Sequence, residues 1–444
     1  MEHVERWAEE LAALTGGLGH LCARPEPREV FAELIEGLLS DLGRKNGWTM
    51  AGRAGHATPH RIQKFLGEAS WSADGLLAEV QAYAARELGY PSATLVLDDT
   101  QVIKKGDKSV GVGHQHCGTT GDVRNCQVMV MLTYAAASGH TFYDRRLYLP
   151  QSWAGDRERC RAAGVPDEVA FATKPQLGIA MVQGAVAGGL PFSWVAADAD
   201  YGKDPALRSW LHGQRIRYVL AVPLTLPVQG PPGKPCLPKV AAAGDLLHYA
   251  TVREQWERRS QGSKGQRAYD WTWFEVTLPG QIPADGFAHQ LLIRRSTEKK
   301  QLAGGRDDFE YAYFLVHAPA TDPVTEAIVR AGVRWKIEEN NELAKQITGL
   351  GTPTTSSSIT GEPRTRPGPP SATTTGAATP SQPPSAPDDN PSRTDHKRCE
   401  RARCFPTFNS GPKGNRTKSF SPAPRRPPCL CAPSLLPAHC FPRR

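Results

Sequence analysis

The stretch "LVLDDTQVIKKG", Leu95 to Gly106, decides the fold. Leu95, Val96 and Leu97 form a short apolar run, as expected of a strand buried on both faces. Asp98 and Asp99 follow at once, and then the basic turn Lys104–Lys105–Gly106. Buried carboxylates are costly unless they are paired or bound to metal. In open α/β sheets, functional groups gather at the carboxyl ends of strands. The reading is therefore a strand that ends in two acids, with a cationic turn directly behind them.

A second stretch repeats the pattern. "PFSWVAADADYG" is a buried strand ending in Asp198 and Asp200. Clustered carboxylates suit Mg²⁺, a hard cation that prefers oxygen ligands. Two such ions about 4 Å apart activate a nucleophile and stabilise the leaving oxygen in phosphoryl transfer. On that reading the acids hold metal and Lys104–Lys105 meets phosphates close by. A third acid comes from "RWKIEENNELAK", where Arg334, Glu338 and Lys345 are spaced R-x3-E-x6-K. On a helix, residues four apart share a face, and the residue eleven on lies close to it. Glu338 would then be flanked by two cations able to touch a nucleic-acid backbone.

Around these stretches the chain changes character several times. Residues 1–90 read as a helical domain with a basic loop able to hold DNA. Its cues include Thr58 as an N-cap before Pro59 and a helix from Ser72 to Leu88. Residues 91–225 read as strands in series and then strands alternating with helices, a mixed α/β sheet with covering helices. Residues 226–322 are β-rich, with "DWTWFEVTLPG", "HQLLIRRST" and "FEYAYFLVHAP" as strands. Residues 323–347 return to helix, so 323–350 carries the third acid.

From 351 to 444 the composition shifts again. Nineteen of the 38 prolines fall there, with 14 Lys and Arg against 5 Asp and Glu. Such a tail buries too little apolar surface to offset its ordering entropy and is expected to be disordered. The whole chain carries +8, so the body is left near −1 and any basic surface there is a local patch. The first five cysteines are scattered singly, as suits reduced thiols, and the tail's five lack regular metal-ligand spacing. No run of 18 apolar residues and no apolar leader occur, so no membrane span is expected and a cytoplasmic location is.

Together these residues resemble the DDE transposases of bacterial insertion sequences, which have an RNase H-like catalytic core. The resemblance covers about residues 25–350. It is carried by "LVLDDTQVIKKGDKSVGVGHQHCGTTGDVRNCQV", "RRLYLPQSW", "FATKPQLG", "ADADYGKDPALRSWL" and "RWKIEENNELAK", in that order. It implies divalent-metal-dependent DNA strand cleavage and strand transfer at terminal inverted repeats. The implied cofactor is two Mg²⁺ ions, with Mn²⁺ as a substitute. The implied partners are repeat and target DNA, with room for a homodimer in a synaptic complex. Carried over, the first acid is Asp98 or Asp99, the second Asp198 and the third Glu338. Arg334 and Lys345 match basic partners of a Y-R-E-K signature, and the β-rich segment resembles the insertion-bearing branch.

The sequence departs from that pattern in three places. The Tyr of the signature falls at Ala331, and Asn341 stands where relatives carry an aromatic residue. After Leu350 the apolar helical text gives way abruptly to "GTPTTSSSITGEPRTRPGPP". The change is as sharp as a reading-frame shift, so a damaged C-terminus and an inactive DNA-binding remnant are expectations to weigh. Of the remaining groups, His114 and His116 read as surface turn residues. Lys264, Arg294 and Arg295 read either as phosphate contacts or, more simply, as a solvated basic face. Trp271 and Trp273 read as one core-facing side of a strand.

Overall fold

The computed structural model describes residues 2–22, 24–69, 71–118, 120–230, 241–248, 256–260, 268–301 and 307–349. The tail expected to be disordered, its five cysteines and Lys264 lie outside the described residues.

Helices come first: α1 (Glu2–Gly17), α2 (Pro25–Leu39), α3 (Gly47–Arg53), α4 (His60–Glu68) and α5 (Ala73–Leu88). Val30, Phe31 and Leu34 of α2 meet Met50, Ile62 and Phe65 in a small core of their own. Helix α4 starts later than the sequence suggests. Its N-cap is Pro59, with ψ at 0°, and no side chain caps it, so Thr58 does not fill that role. Ser72 does cap α5, accepting from the Gly75 N–H at 2.9 Å. The apolar face of α5 reaches the sheet through Ala84.

The sheet is built from β1 (Thr94–Ile103), β2 (Gly113–Cys117), β3 (Asp122–Ala135), β4 (His140–Leu147), β5 (Trp194–Ala197) and β6 (Arg217–Val222). Strand β3 lies antiparallel between β1 and β4, with β2 on its far end. On the other side β1 pairs parallel with β5, and β5 with β6. The order β4-β3-β1-β5-β6, three antiparallel strands and then two parallel ones, is that of the RNase H-like core the resemblance implies. Helices α6 (Gln151–Ala154), α7 (Arg157–Ala162) and α8 (Lys174–Ala187) link β4 to β5, and α9 (Ala199–Gly202) and α10 (Pro205–Gly213) link β5 to β6. Thr173 and Gln176 form a reciprocal capping box that fixes the start of α8.

The β-rich segment continues this sheet. It holds β7 (Pro227–Val228), β8 (Ala241–Ala242), β9 (Glu257–Ser260), β10 (Ala268–Val276), β11 (Phe287–Ser296), β12 (Lys300–Gln301), β13 (Asp307–Asp308) and β14 (Tyr311–Pro319). Strand β14 pairs antiparallel with β6, and β11, β10 and β9 follow outward, giving ten strands in one sheet. Two further helices, α11 (Val324–Val333) and α12 (Trp335–Thr348), close the described chain.

Alternation along β1 and β5 separates two cores. Leu95, Leu97, Val195 and Ala197 pack against α8 and α10 through Met181, Leu207 and Leu211. Val96, Ala196 and Val219 face the other way, toward Ile328, Ala331 and Ile337 of α11 and α12. The single helix expected over 323–347 is interrupted at Arg334. Its φ of −49° and ψ of −34° stay helical, so the four-residue spacing from Arg334 to Glu338 survives. Among the described residues no helix is long and apolar enough to cross a membrane.

Candidate active site

Strand β5 stops at Ala197, opposite Leu97 of β1. Beyond that pair β1 keeps β3 as a neighbour but loses its parallel one, which opens a notch. The next residue on each strand is an acid, Asp98 and Asp198. Neighbouring strands run about 4.8 Å apart, so the register sets these two carboxylates side by side. Asp198 is also the N-cap of α9, accepting from the Asp200 N–H at 2.9 Å and the Tyr201 N–H at 3.4 Å. Gly202 ends that turn hard against β6, where a Cβ would lie 1.9 Å from the Ala221 carbonyl oxygen. A side chain there would push Asp198 out of the notch.

The third acid arrives from α12. Arg334 bonds Glu338 one turn on and reaches Asp98 Oδ2 at 3.4 Å. Its guanidinium thus bridges the first and third acids. The helix itself is pinned to the sheet: Asn340 donates to the Thr133 hydroxyl at 3.1 Å and meets His140 Nδ1 at 2.8 Å. His140 Nε2 lies 3.2 Å from Glu339. Asn341 is buried, and its Oδ1 has no partner among the described residues.

The electrostatics show what the notch lacks. Burial, and then the negative charge of Asp198, push Asp98 up to about 7, against the opposing pull of Arg334. Burial and Asp200 also raise Asp198, again opposed by Arg334. Tyr201 is pushed well above the usual tyrosine range by burial and by Asp99, Asp98, Asp198 and Asp200 around it. Its hydroxyl is buried without a partner among the described residues. A set of oxygen donors in which two carboxylates resist ionising together is short of positive charge. Hard oxygen ligands of this kind fit a divalent cation such as Mg²⁺.

Asp99 points to the opposite face. It is ion-paired with Lys174, the first residue of α8, and bonded to Gln101. Asp200 is exposed, paired with Lys203 at 2.6 Å, and held below the usual carboxylate range first by that bond. Lys174 and Tyr201 contact or lie among these acids, and sequence reasoning does not single them out. The signals available are their places in "FATKPQLG" and "DADYG", but the pairing of Lys174 with Asp99 spans 75 residues and has no local trace.

The basic turn is a correction. The sequence reading ends β1 at its acids, yet the strand runs on to Ile103 because β3 pairs with it throughout. At about 3.3 Å per residue, Lys104 lies roughly 20 Å along the strand from Asp98. Lys104 lines a cavity of about 540 Å³ with Met129 of β3 and Arg145 and Arg146 of β4. Alternation puts Asp98, Val102 and Met129 on one face of the sheet, so this groove opens on the acids' side. Among the described residues neither Lys104 nor Arg145 is ion-paired. Lys105 is exposed in the turn, and Lys345 is half-buried two turns beyond Glu338.

Other expectations divide. His114 and His116 are exposed on β2, and His116 lies near enough to Asp200 to act on its charge. Trp271 is fully buried in the core, with Trp273 partly buried on the same side. Arg294 and Arg295 do not form a solvated face. Arg294 lies 4.4 Å over the Tyr269 ring, and Arg295 lies 4.1 Å over Trp256 and pairs with Asp270. Aromatic rings flank both cations, which replaces water at their faces.

Comparison with known proteins bears on this geometry. The chain is similar to the probable transposase for insertion sequence element IS701 of Microchaete diplosiphon, with 26% identity over 196 residues. That match takes in 44% of this chain and 48% of the relative, so the chain spans about half the length of the curated relative it matches. A solved structure, the NurA nuclease from Sulfolobus solfataricus, aligns with 62% of this chain and 93% of its own. At 8% identity and a TM-score of 0.25 that likeness carries no argument. The profile of the DDE superfamily endonucleases matches residues 18–278, which take in Asp98 and Asp198 and stop short of Glu338. With well over half of its length matched, this chain belongs to the DDE superfamily endonuclease family.

Proposed function

We propose that this protein is a DNA transposase that cleaves and joins DNA strands at the inverted repeats of an insertion sequence. The reading rests on Asp98 and Asp198 at the ends of two adjacent parallel strands, with Arg334 joining Asp98 to Glu338 of α12. In this reading Asp98, Asp198 and Glu338 hold two Mg²⁺ ions, for which Mn²⁺ can substitute. Bound there, divalent cations supply Lewis-acid polarisation of the phosphodiester and a more acidic attacking hydroxyl.

The chain's own residues do the rest. Asp98 gives up its proton near neutral pH when a cation replaces the negative field of its neighbours. Arg334 then exchanges its carboxylate partners for a DNA phosphate, a geometry its planar fork suits. Lys174 keeps Asp99 turned away, so Asp99 serves the opposite face and not the metal. Lys104 and Arg145 track the DNA backbone along the groove, and Lys345 extends that track beyond Glu338. The partners are repeat and target DNA, with the two repeats brought together by a homodimer. The setting is the bacterial cytoplasm, on the nucleoid when DNA is bound.

A second reading, an inactive DNA-binding remnant, draws on one observation. Leu343 and Ile347, one turn apart on the last turns of α12, are 47% and 42% exposed. The last turns of the helix that carries Glu338 thus present apolar side chains to solvent, although Glu338 itself lies in the packed first turn. One assay separates the two. The full chain is mixed with DNA from both flanks of its gene, and Mg²⁺-dependent nicking is compared with Glu338→Gln and Asp198→Asn. The transposase reading expects nicks at the repeat ends in the wild type and none in either variant, with repeat binding within about twofold because affinity comes mainly from cationic contacts. Repeat binding with no nicking by any of the three would establish the remnant instead.

A further inference from the structure

On the sheet face opposite the acid notch, three histidines meet. His212 comes from α10, His289 from β11 and His317 from β14. His289 and His317 stand directly opposite each other on adjacent strands, and His317 stands opposite Tyr218 of β6. One potential ligand atom from each imidazole lies within 4.8 Å of the other two.

The geometry points to a transition-metal site here, of the Zn²⁺ class, with His212, His289 and His317 as ligands and the Tyr218 hydroxyl beside the fourth position. Zinc takes imidazole nitrogens at about 2.0–2.1 Å in a tetrahedral set, which requires nitrogens roughly 3 Å apart or a little more. His212 Nε2 and His289 Nε2 are already 3.0 Å apart, and Tyr218 Oη lies 2.8 Å from His212 Nε2. His317 must move and turn, because its ring now stacks on Phe287 at 4.6 Å between centroids and lies 4.3 Å from that of His212. Its Nδ1 donates to the Ile216 carbonyl at 3.3 Å, the kind of backbone bond that orients a ligating imidazole, which leaves Nε2 as the ligand atom. That Nε2 now accepts from the Ala284 N–H at 3.2 Å, a loop bond that a metal would displace.

The cluster is also poorly satisfied by hydrogen bonds alone. His289 Nδ1 is buried with no partner among the described residues. Between His212 Nε2, His289 Nε2 and Tyr218 Oη, a single imidazole nitrogen must serve two neighbours, and each such nitrogen offers one proton or one lone pair. Burial holds all three imidazoles neutral, the form that ligates, with His289 pushed down to about 3 and the others to about 4. Nitrogen donors select against Mg²⁺, so this site and the acid notch would not compete for one ion. The opposing charges are Arg208, held to the Gly202 carbonyl at 2.5 Å and to Gln281 at 2.9 Å, and Arg215, which acts on His317. The metal would tie α10 to the outer strands, a structural role separate from phosphoryl transfer.

The test uses the full chain with Cys399, Cys404, Cys429, Cys431 and Cys440 each replaced by Ser, so that tail thiols cannot bind the probe. Zn²⁺ is added and excess removed by gel filtration, and retained metal is counted. Co²⁺ is titrated in parallel and read by visible absorption. One retained Zn²⁺ per chain, a raised unfolding midpoint and tetrahedral Co²⁺ bands without thiolate charge-transfer absorption are expected. His289→Ala should weaken Zn²⁺ binding by more than the roughly 10–100-fold that loss of a group merely hydrogen-bonded to a ligand costs. Asp98→Asn with Glu338→Gln should leave it unchanged. Because His289→Ala empties a buried position and can fail to fold, the count and spectrum of the chain with intact histidines decide on their own. No retained Zn²⁺ and no tetrahedral band there overturn the site. Equal binding by a folded His289→Ala variant overturns it too, because the ion then sits elsewhere.

Discussion

Two buried clusters of ionisable side chains lie on opposite faces of one sheet, and desolvation drives them in opposite directions. Asp98 and Asp198 are pushed up, and His212, His289 and His317 are pushed down. In both cases the interior favours the neutral form. The clusters differ in how the chain deals with that. The acids sit where β5 ends, in a notch that Arg334 partly fills and a cation can enter. His289 and His317 sit within the ladder of β11 and β14, and His212 of α10 bonds His289 beside them. A site open at a strand end holds its charge for a partner to come. A site closed inside the fold keeps its own side chains neutral.

The largest expected difference lies within a single dipeptide. On the proposed reading Asp98→Asn removes a metal ligand and should abolish measurable Mg²⁺-dependent nicking. Asp99→Asn should lower it by about tenfold at most, since its loss frees Lys174 on the far face without touching the metal ligands that drive the chemical step. Initial rates on end DNA at saturating Mg²⁺ measure both. Equal losses would mean that the two faces do not divide the work.

Stability should show the same opposition without metal. Asp98 has a folded value above its unfolded one, so its contribution is full below about pH 4 and is lost as pH rises through about 7. The histidines have folded values below their unfolded ones, so theirs is full above about pH 6.5 and is lost as pH falls through about 4. In EDTA at about pH 8, Asp98→Asn should therefore be more stable than the wild type by about 2–4 kcal/mol. Denaturant melts between about pH 4 and 8 test this. A variant no more stable at the alkaline end would show that Arg334 fully offsets the buried charge.

Much of this is legible in the chain, and the limits have physical reasons. "LVLD" and "VAAD" read as buried strands with acids at their ends because apolar runs of that length leave few other options. Their side-by-side register is a tertiary fact, yet both are strand ends in one parallel pair. The choice between Asp98 and Asp99 is not legible. Adjacent strand residues point to opposite faces, and only the position of α12 tells which face matters. The overreach at Lys104 comes from taking the acids as the end of β1, when antiparallel β3 carries the strand six residues past Leu97. Arg294 and Arg295 read as surface because charge suggests water, and the rings that cover them come from other strands. The histidine cluster leaves no sequence signal, since its members come from distant elements and follow no spacing.

Two smaller effects sharpen the contrast between open and closed faces. Replacing Lys104 and Arg145 together by Ala should reduce the log–log salt slope of DNA binding by about 0.9 for each phosphate that is no longer neutralised. An unchanged slope would place DNA away from the groove. Hydrogen exchange should then separate the two halves of α12. The turns around Ile337 and Asn340 should be protected by packing and the Thr133 and His140 bonds, and those around Leu343 and Ile347 should exchange soon after mixing. Uniform protection along the helix would mean that its exposed apolar residues find a cover in solution.

Arg334 meets Asp98 across 236 residues of chain. Pairings of such separation form late, because the chain between them must be ordered first. A protein made from its N-terminus completes β1, β3 and β5 long before α12 leaves the ribosome. Through most of its synthesis the molecule carries two of its acids side by side and not the third. Any copy whose translation stops before residue 338 stays in that condition permanently. On the proposed reading, the order in which the chain is written delays the reaction, since the third acid joins the other two only after the sheet that carries them has been made.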